Sequence, residues 1–410
     1  MTTLISSPLK PVRDTSTPRV AVVHDWLYVY GGAERVLRSI LRCYPDADVF
    51  TLFDFLTPAD RARIGFTTST TSFLQRIPGM RRRHRSFLPM MPLAIEQLDL
   101  SGYDIVISSS YAVAKGVLTG PDQLHLSYVH SPMRYAWDLQ EQYLAEAGLS
   151  RGLKGAIARL LLHRLRIWDA RTANGVNSYM VNSHFVGRRV RKAYGRTSEV
   201  IHPPVDVPER LVARTRGGSF LTASRLVGYK NTRAIIEAFR DLPDQHLFVV
   251  GTGPEYKRLA GLAGPNVTML GFVPDAALRQ LMGEARAFIF AAEEDFGIVP
   301  VEAQAEGTPV LALGRGGALE TIVTSGPWPT GMFFEEPTPA AISTVVRRFL
   351  ARTEGFSAAA CHANALQFSE ARFREQFSAF VRDQHAAFTA SVEAGRARSP
   401  QPPRLGVAIG

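Results

Sequence analysis

The stretch "AFIFAAEEDFGIVPVEAQAEGTPVLAL", residues 287–313, decides the fold. It opens on a short apolar run, "AFIF", of the kind a buried strand uses, and closes on another, "PVLAL". Between them, "VEAQAE" is made of strong helix formers. The reading is strand, helix, strand, and two strands joined through a helix lie parallel in one sheet. The turn into the helix carries Glu294, Gly297, Pro300 and Glu302. Gly297 permits a close backbone approach, and Pro300 suits a first helical turn, with Glu302 beside it. A helix start offers unpartnered N–H groups and a partial positive charge, a ready site for an anion. Carboxylates are poor phosphate ligands but good acceptors for sugar hydroxyls. A ligand with phosphate in its middle and hydroxylated rings at both ends fits both halves of the turn, and a nucleotide sugar is one. The spacing alone fits equally well a Glu302 that complements the helix dipole and a solvated Glu294.

The same alternation runs through the chain. "RVAVVHDW" (19–26) reads as a buried strand and "GGAERVLRSILRCY" (31–44) as the helix after it. The pattern restarts at "SFLTASRL" beyond the prolines of "IHPPVDVPERL", where regular structure stops. Two doubly wound α/β domains with parallel sheets follow, facing a central cleft, since ligands of such sheets sit beyond the carboxyl ends of the strands. The boundaries read as a disordered lead-in over 1–18, an N-terminal domain over 19–204 and a C-terminal domain over 205–368. A helix over 369–392, returning toward the N-terminal domain, and a disordered tail over 393–410 complete the chain.

The 410 residues suit two domains, and 46% hydrophobic content is ordinary for a globular protein. No apolar run is long enough to span a bilayer, and the N-terminus has no apolar core of a secretory signal. Cys43 and Cys361, far apart and without metal-ligand spacing, suit two buried thiols in a reducing cytosol. The net charge of +10 is uneven: residues 1–205 hold 26 Lys/Arg against 16 Asp/Glu, and the remainder is balanced. Residues 151–200 alone hold 11 basic and 2 acidic side chains. That asymmetry turns the N-terminal half toward something anionic. In "RGLKGAIARLLLHRLRIWDARTANG" (151–175), and in "MRRRHRSFLPMMPLAIEQL" (80–98), arginine is interleaved with leucine and isoleucine. This fits a helix on an anionic membrane surface, and equally an Arg-rich face above a core. The aromatic stacking platform of a nucleic-acid binder is missing.

Further constellations lie at strand ends. In "TASRLVGYKN" (222–231), Arg225 and Lys230 would stabilise a diphosphate, more so as it departs with extra charge. In "HDWLYVYGGAERV" (24–36), Gly31 and Gly32 resemble a phosphate-cradling turn, a weak signal because turns use such pairs freely. "VVGTGPE" (249–255) lacks the third glycine of a dinucleotide fingerprint, which counts against NAD. In "YVHSPMRYAWD" (128–138), His130 ends a strand and could hold a sugar hydroxyl. Arg134, Tyr135 and Trp137 follow it as candidates for acceptor binding. "PDADV" (45–49) contains a D-x-D at the wrong strand end for a metal-held diphosphate and reads as a surface turn.

Together, "EEDFGIVPVEAQAEGTPVLA", "SRLVGYKN" some 70 residues upstream and the N-terminal "GGAERV" resemble the retaining glycosyltransferases of family 4. These have the two-domain GT-B fold. The resemblance spans residues 19–390, and the E-x7-E element joined to the upstream Arg and Lys is its most specific part. "HSPMRYAWD" and "RGGALETI" look most like bacterial mannosyltransferases that build O-antigen and exopolysaccharide from GDP-mannose. The resemblance implies catalytic roles for Glu294, Arg225, Lys230 and His130. Glu294 would contact donor-sugar hydroxyls, Glu302 the ribose, Arg225 and Lys230 the diphosphate, and His130 the donor sugar. Backbone at Phe296, Gly297, Ile298 and Val299 would meet the phosphates, with Gly31 and Gly32 nearby, and backbone at Phe272 and Val273 the base. Asp295 stands where many members have glycine and would select the sugar if it pointed into the pocket. No metal or other cofactor is implied beyond the nucleotide-sugar donor.

The activity so implied is transfer of a hexose, mannose from GDP-mannose, to a glycan acceptor linked to polyprenyl diphosphate. It would run at the inner face of the cytoplasmic membrane, by a peripheral cytoplasmic enzyme. A nucleotide-sugar epimerase of the same fold would need acid/base pairs and no acceptor face. A non-catalytic glycan- or membrane-binding relative would not need Glu294, Glu302, Arg225 and Lys230 together.

Overall fold

The computed structural model describes residues 18–212 and 214–398. The lead-in and tail readings fall outside the described residues for positions 1–17 and 399–410. Seven strands make the first sheet: β1 (Val20–His24), β2 (Asp48–Thr51), β3 (Thr70–Thr71), β4 (Ile105–Ser110), β5 (Leu124–Val129), β6 (Ser178–Val181) and β7 (Glu199–Val200). Six make the second: β8 (Ser219–Ala223), β9 (His246–Val250), β10 (Val267–Gly271), β11 (Phe288–Phe290), β12 (Val310–Leu313) and β13 (Gly331–Phe334). Their orders are β3-β2-β1-β4-β5-β6-β7 and β10-β9-β8-β11-β12-β13, with all pairs parallel. Each sheet changes winding direction beside its first strand, between β1 and β4 and between β8 and β11. A crevice opens at such a switch point because the flanking connections leave to opposite sides.

Parallel strands covered on both faces are buried along their length, as β1, β4 and β5 are, and polar side chains on them pair with one another, His24 with Ser109 and Ser108 with His125. Successive residues serve opposite layers. Phe220 and Ile289 join the layer with Ile235 and Val345, while Leu221 and Phe288 join the one with Met282 and Ala303. One face of the first sheet takes Leu37 and Ile40 of the helix Gly32–Cys43, together with Phe373, Phe377 and Val381. Those last three belong to the helix Glu370–Arg398, so the C-terminal helix completes the core of the N-terminal domain. The helix passes residue 392, where the sequence reading ended it. The extension carries Gly395, but a glycine inside a helix costs only about 1 kcal/mol, and its Ala, Glu and Arg neighbours favour continuation.

Cys361 is buried, whereas Cys43, at the last position of its helix, is only half-buried, a correction to the reading of two buried thiols. Among the described residues no helix is long and apolar enough to cross a membrane.

Candidate functional site

At the switch point of the second sheet, the loop after β8 meets the loop after β11. Asn231 Nδ2 donates to the Ala291 carbonyl at 2.9 Å and ties the two loops together. Lys230 Nζ then forms an ion pair with Glu294 Oε1. Burial, and next the nearby Arg134 guanidinium, push Lys230 down to about 8. Arg225 is exposed on the same loop and has no ion pair among the described residues. Gly297 sits at φ 84°, in the left-handed region that disfavours a side chain. It ends the loop, and the helix Ile298–Ala305 starts with no side-chain cap. The helix therefore begins earlier than Pro300, and Glu302 lies in its second turn rather than its first. The "RGG" of 315–317 fixes this loop from behind: a Cβ at Gly317 would lie 2.3 Å from Phe296 Cα, and Gly317 N–H donates to the Glu294 carbonyl at 2.8 Å. The Phe296 side chain is buried against Phe368, which leaves only its backbone for a ligand. Phe272, just after β10, is 78% exposed and Val273 half-buried. Gly251 and Gly253 serve close packing instead, since Cβ atoms there would meet the Ser224 and Leu226 carbonyls at 1.8 and 2.2 Å.

The switch point of the first sheet faces this one. His24 ends β1 opposite Ser109 of β4, and His130 follows β5. Burial, and next His24, push the His130 imidazole down to about 3, so it is neutral near pH 7. Gly32 packs directly against the helix start of the other domain, where a Cβ would lie 3.2 Å from Ile298 Cδ1. Arg35, one turn further on, pairs with Glu302. Gly31 differs from the sequence reading: its N–H donates to Glu34 Oε2 at 2.9 Å and is not free to cradle phosphate. A glutamate three residues into a helix reaches back to the cap as a matter of course.

Asp295 does not point freely into the pocket. One carboxylate oxygen accepts from Arg134, and the other from Arg189 Nη1 at 2.8 Å. Arg189 is held in turn by Asp138 at 2.6 Å. Asp295 is thus an interdomain bridge and does not meet the condition under which it would select the sugar, and Arg134 faces the donor-side loop rather than a separate acceptor. Trp137 packs on the core and donates from Nε1 to the buried Asp169 at 2.7 Å. Tyr135 packs on the same core with its hydroxyl buried. Neither ring is a sugar-stacking platform, because the segment turns inward after Pro132. Arg35, Arg189, Glu34, Ser109 and Glu320 escaped the sequence reading. Glu34 and Arg35 had a local signal in "GGAER", and Glu320 one in "RGGALETI"; Arg189 and Ser109 had none.

Residues 30–209 match "Glycosyltransferase Family 4" and residues 208–366 match "Glycosyl transferases group 1". The alpha-1,3/1,6-mannosyltransferase alg2 of Schizosaccharomyces pombe is 24% identical over 273 residues, 54% of this chain and 51% of that protein. A GDP-mannose-dependent monoacylated alpha-(1-6)-phosphatidylinositol monomannoside mannosyltransferase of Corynebacterium glutamicum is 31% identical over 184 residues, 37% of this chain and 47% of that one. The chain spans about half the length of these curated relatives. Among solved structures, Anabaena HepE in complex with UDP superposes with a TM-score of 0.66 at 18% identity, covering 89% of this chain and all of that one. The sucrose-phosphate synthase of Thermosynechococcus elongatus does so at 0.67 and 16%, covering 90% of this chain and all of that one. Two matched halves, two facing parallel sheets and the charged cleft between them make the chain a glycosyltransferase of the GT-B fold.

Proposed function

We propose that this glycosyltransferase moves mannose from GDP-mannose to a lipid-linked glycan acceptor, with retention at the anomeric carbon. The observation that carries the reading is the meeting of Lys230 and Glu294 at one switch point, opposite Gly32 and Arg35 of the other domain. A diphosphate lies between Arg225, Lys230 and the N-terminus of the helix Ile298–Ala305, while Glu294 and Glu302 exchange their present cationic partners for hydroxyls of the sugar and the ribose. His130 holds the donor sugar from the other side. The bond from the anomeric carbon to the diphosphate oxygen breaks, and the acceptor oxygen bonds to that carbon on the same face. The acceptor's proton passes to the departing diphosphate, whose charge Arg225 and Lys230 stabilise.

Mannose is supported by the mannosyltransferase names of the relatives, and GDP by the name of the Corynebacterium protein. The acceptor side is supported by the helix Gly152–Thr172. Leu153, Ile157, Leu160 and Ile167 are exposed on it at helical spacing, among Arg164 and Arg171. Such a stripe suits peripheral contact with an anionic lipid surface that carries the acceptor. Thermal shift with GDP, UDP, ADP and their sugars tests the donor. A selective rise with GDP and GDP-mannose is expected; a rise with UDP and UDP-glucose alone would replace mannose transfer with glucose transfer.

A further inference from the structure

Three buried groups and the half-buried His130 connect the turn at Gly31 to the cleft. Glu34 uses Oε2 to accept the Gly31 N–H at 2.9 Å and turns Oε1 toward His24 Nε2 at 3.7 Å. His24 Nδ1 lies 3.1 Å from Ser109 Oγ. Ser109 Oγ lies 2.8 Å from His130 Nε2. Tyr111 packs edge-on against both rings, with centroids 5.8 Å from His24 and 5.9 Å from His130, and walls the chain from water. His24 and Ser109 are fully buried.

We infer that Glu34, His24 and Ser109 form a relay that fixes the tautomer of His130, so that its Nδ1 is presented to the cleft as a hydrogen-bond acceptor. A serine hydroxyl has one proton and stands here between two imidazole nitrogens, so it donates to one and accepts from the other. The carboxylate decides which. His24 Nε2 has no hydrogen-bond partner among the described residues, and Oε1 acts on it through space at 3.7 Å: a lone pair there would be repelled, whereas an N–H is attracted, strongly so in a buried setting. His24 therefore carries its proton on Nε2, and its Nδ1 accepts from the Ser109 hydroxyl. Ser109 Oγ is left to accept from His130 Nε2–H, and His130 keeps the lone pair on Nδ1. That lone pair accepts from a sugar hydroxyl; an N–H in its place would require an acceptor oxygen instead. Glu34, His24 and Ser109 are positioning residues, and their effect on transfer rests on the donor role proposed above for His130.

Glu34→Gln tests this with little change of shape. Its amide oxygen can keep the Gly31 N–H, while its amide nitrogen turns a positive N–H toward His24 Nε2 from the place Oε1 holds at 3.7 Å, which favours a lone pair there and reverses every later link. Long-range proton–nitrogen spectra of the histidine-labelled full chain at neutral pH should show Nε2–H on His130 in the native protein and Nδ1–H in Glu34→Gln. Binding of GDP-mannose should weaken about tenfold in that variant, with GDP unchanged, and Glu34→Gln should add no further loss to Ser109→Ala. The same His130 tautomer in both proteins would overturn the relay, as would Nδ1–H in the native chain, the result expected if His24 were an imidazolium donating at both nitrogens. If Glu34→Gln does not fold, Ser109→Ala serves: retention of the single native tautomer without the middle link would overturn the relay equally. His130→Ala separates the two ideas, since native GDP-mannose affinity in that variant removes the donor role and leaves the spectra to judge the relay.

Discussion

At Lys230, one amine has to answer two electrostatic demands. Glu294 holds it in the ligand-free cleft, and a diphosphate would compete for it. Its pKa, pushed from 10.5 to about 8 by burial and Arg134, gives a direction that can be checked. A depressed lysine is charged below its folded value and neutral above it. Attraction for the diphosphate is then complete below about pH 8 and declines as pH rises through that value, well before an ordinary lysine would titrate. Donor affinity measured by calorimetry from pH 7 to 10 should fall with that midpoint in the free enzyme, and Lys230→Arg should remove the fall. A flat profile would refute the depressed pKa. Lys230→Ala and Glu294→Ala should each lower turnover by about 100-fold or more with unchanged far-ultraviolet circular dichroism. Full activity in either would sink the site.

Among the elements, the strand–turn–helix at 288–305 was legible in the sequence because everything it does is local. The apolar run, the glycine at φ 84° and the helix formers lie within a few residues of one another. The partners of its carboxylates were not legible, because Arg35 lies 267 residues from Glu302 and Arg189 lies 106 from Asp295. Only the crossing of two sheets brings them together, and pattern along one chain carries no such distance. Trp137 was misread for the same reason, since Asp169, its partner, comes from the helix Gly152–Thr172. On that helix the sequence told of arginine mixed with leucine but not of which side faces out. Leu165 and Asp169 are turned inward, Asp169 against the buried Lys115 at 2.8 Å, and Leu153, Ile157 and Leu160 outward. Replacing those three by serine should weaken sedimentation with anionic vesicles roughly 100-fold, at about 1 kcal/mol for each covered side chain, and added salt should weaken the native protein further. Unchanged sedimentation would leave the stripe as bare surface.

Across the whole molecule, the two domains are held closed by charged pairs, of which the donor would need one. Arg35 holds Glu302, and Arg134 and Arg189 hold Asp295. Ser183 Oγ donates to the Asp295 carbonyl at 2.5 Å, and Glu320 accepts the N–H groups of His184 and Phe185 at 2.9 Å or less. These bridges cluster where the helix His184–Tyr194 begins and where the loop after β11 ends, so they lock the cleft from one side. Glu302 can reach a ribose only by releasing Arg35, whereas nothing requires Asp295 to let go of its arginines. The bridges therefore divide into one that exchanges with ligand and one that keeps the domains in register throughout. Asp295→Asn separates the two roles: it keeps the shape and removes the charge that both arginines share. Losing charge-assisted hydrogen bonds of this kind costs about 1.5–3 kcal/mol, which shifts the balance of closed and open forms on the order of 10- to 100-fold toward open. Small-angle scattering of the ligand-free variant should show a larger radius of gyration than the native protein, and saturating donor should recover part of the difference through Lys230 and the helix start. Arg35→Gln should instead leave the ligand-free radius nearly native, because the Asp295 bridges remain. Equal radii for Asp295→Asn and the native chain would mean that the domains are held by their apolar contacts and the shared last helix, with the ion pairs merely following.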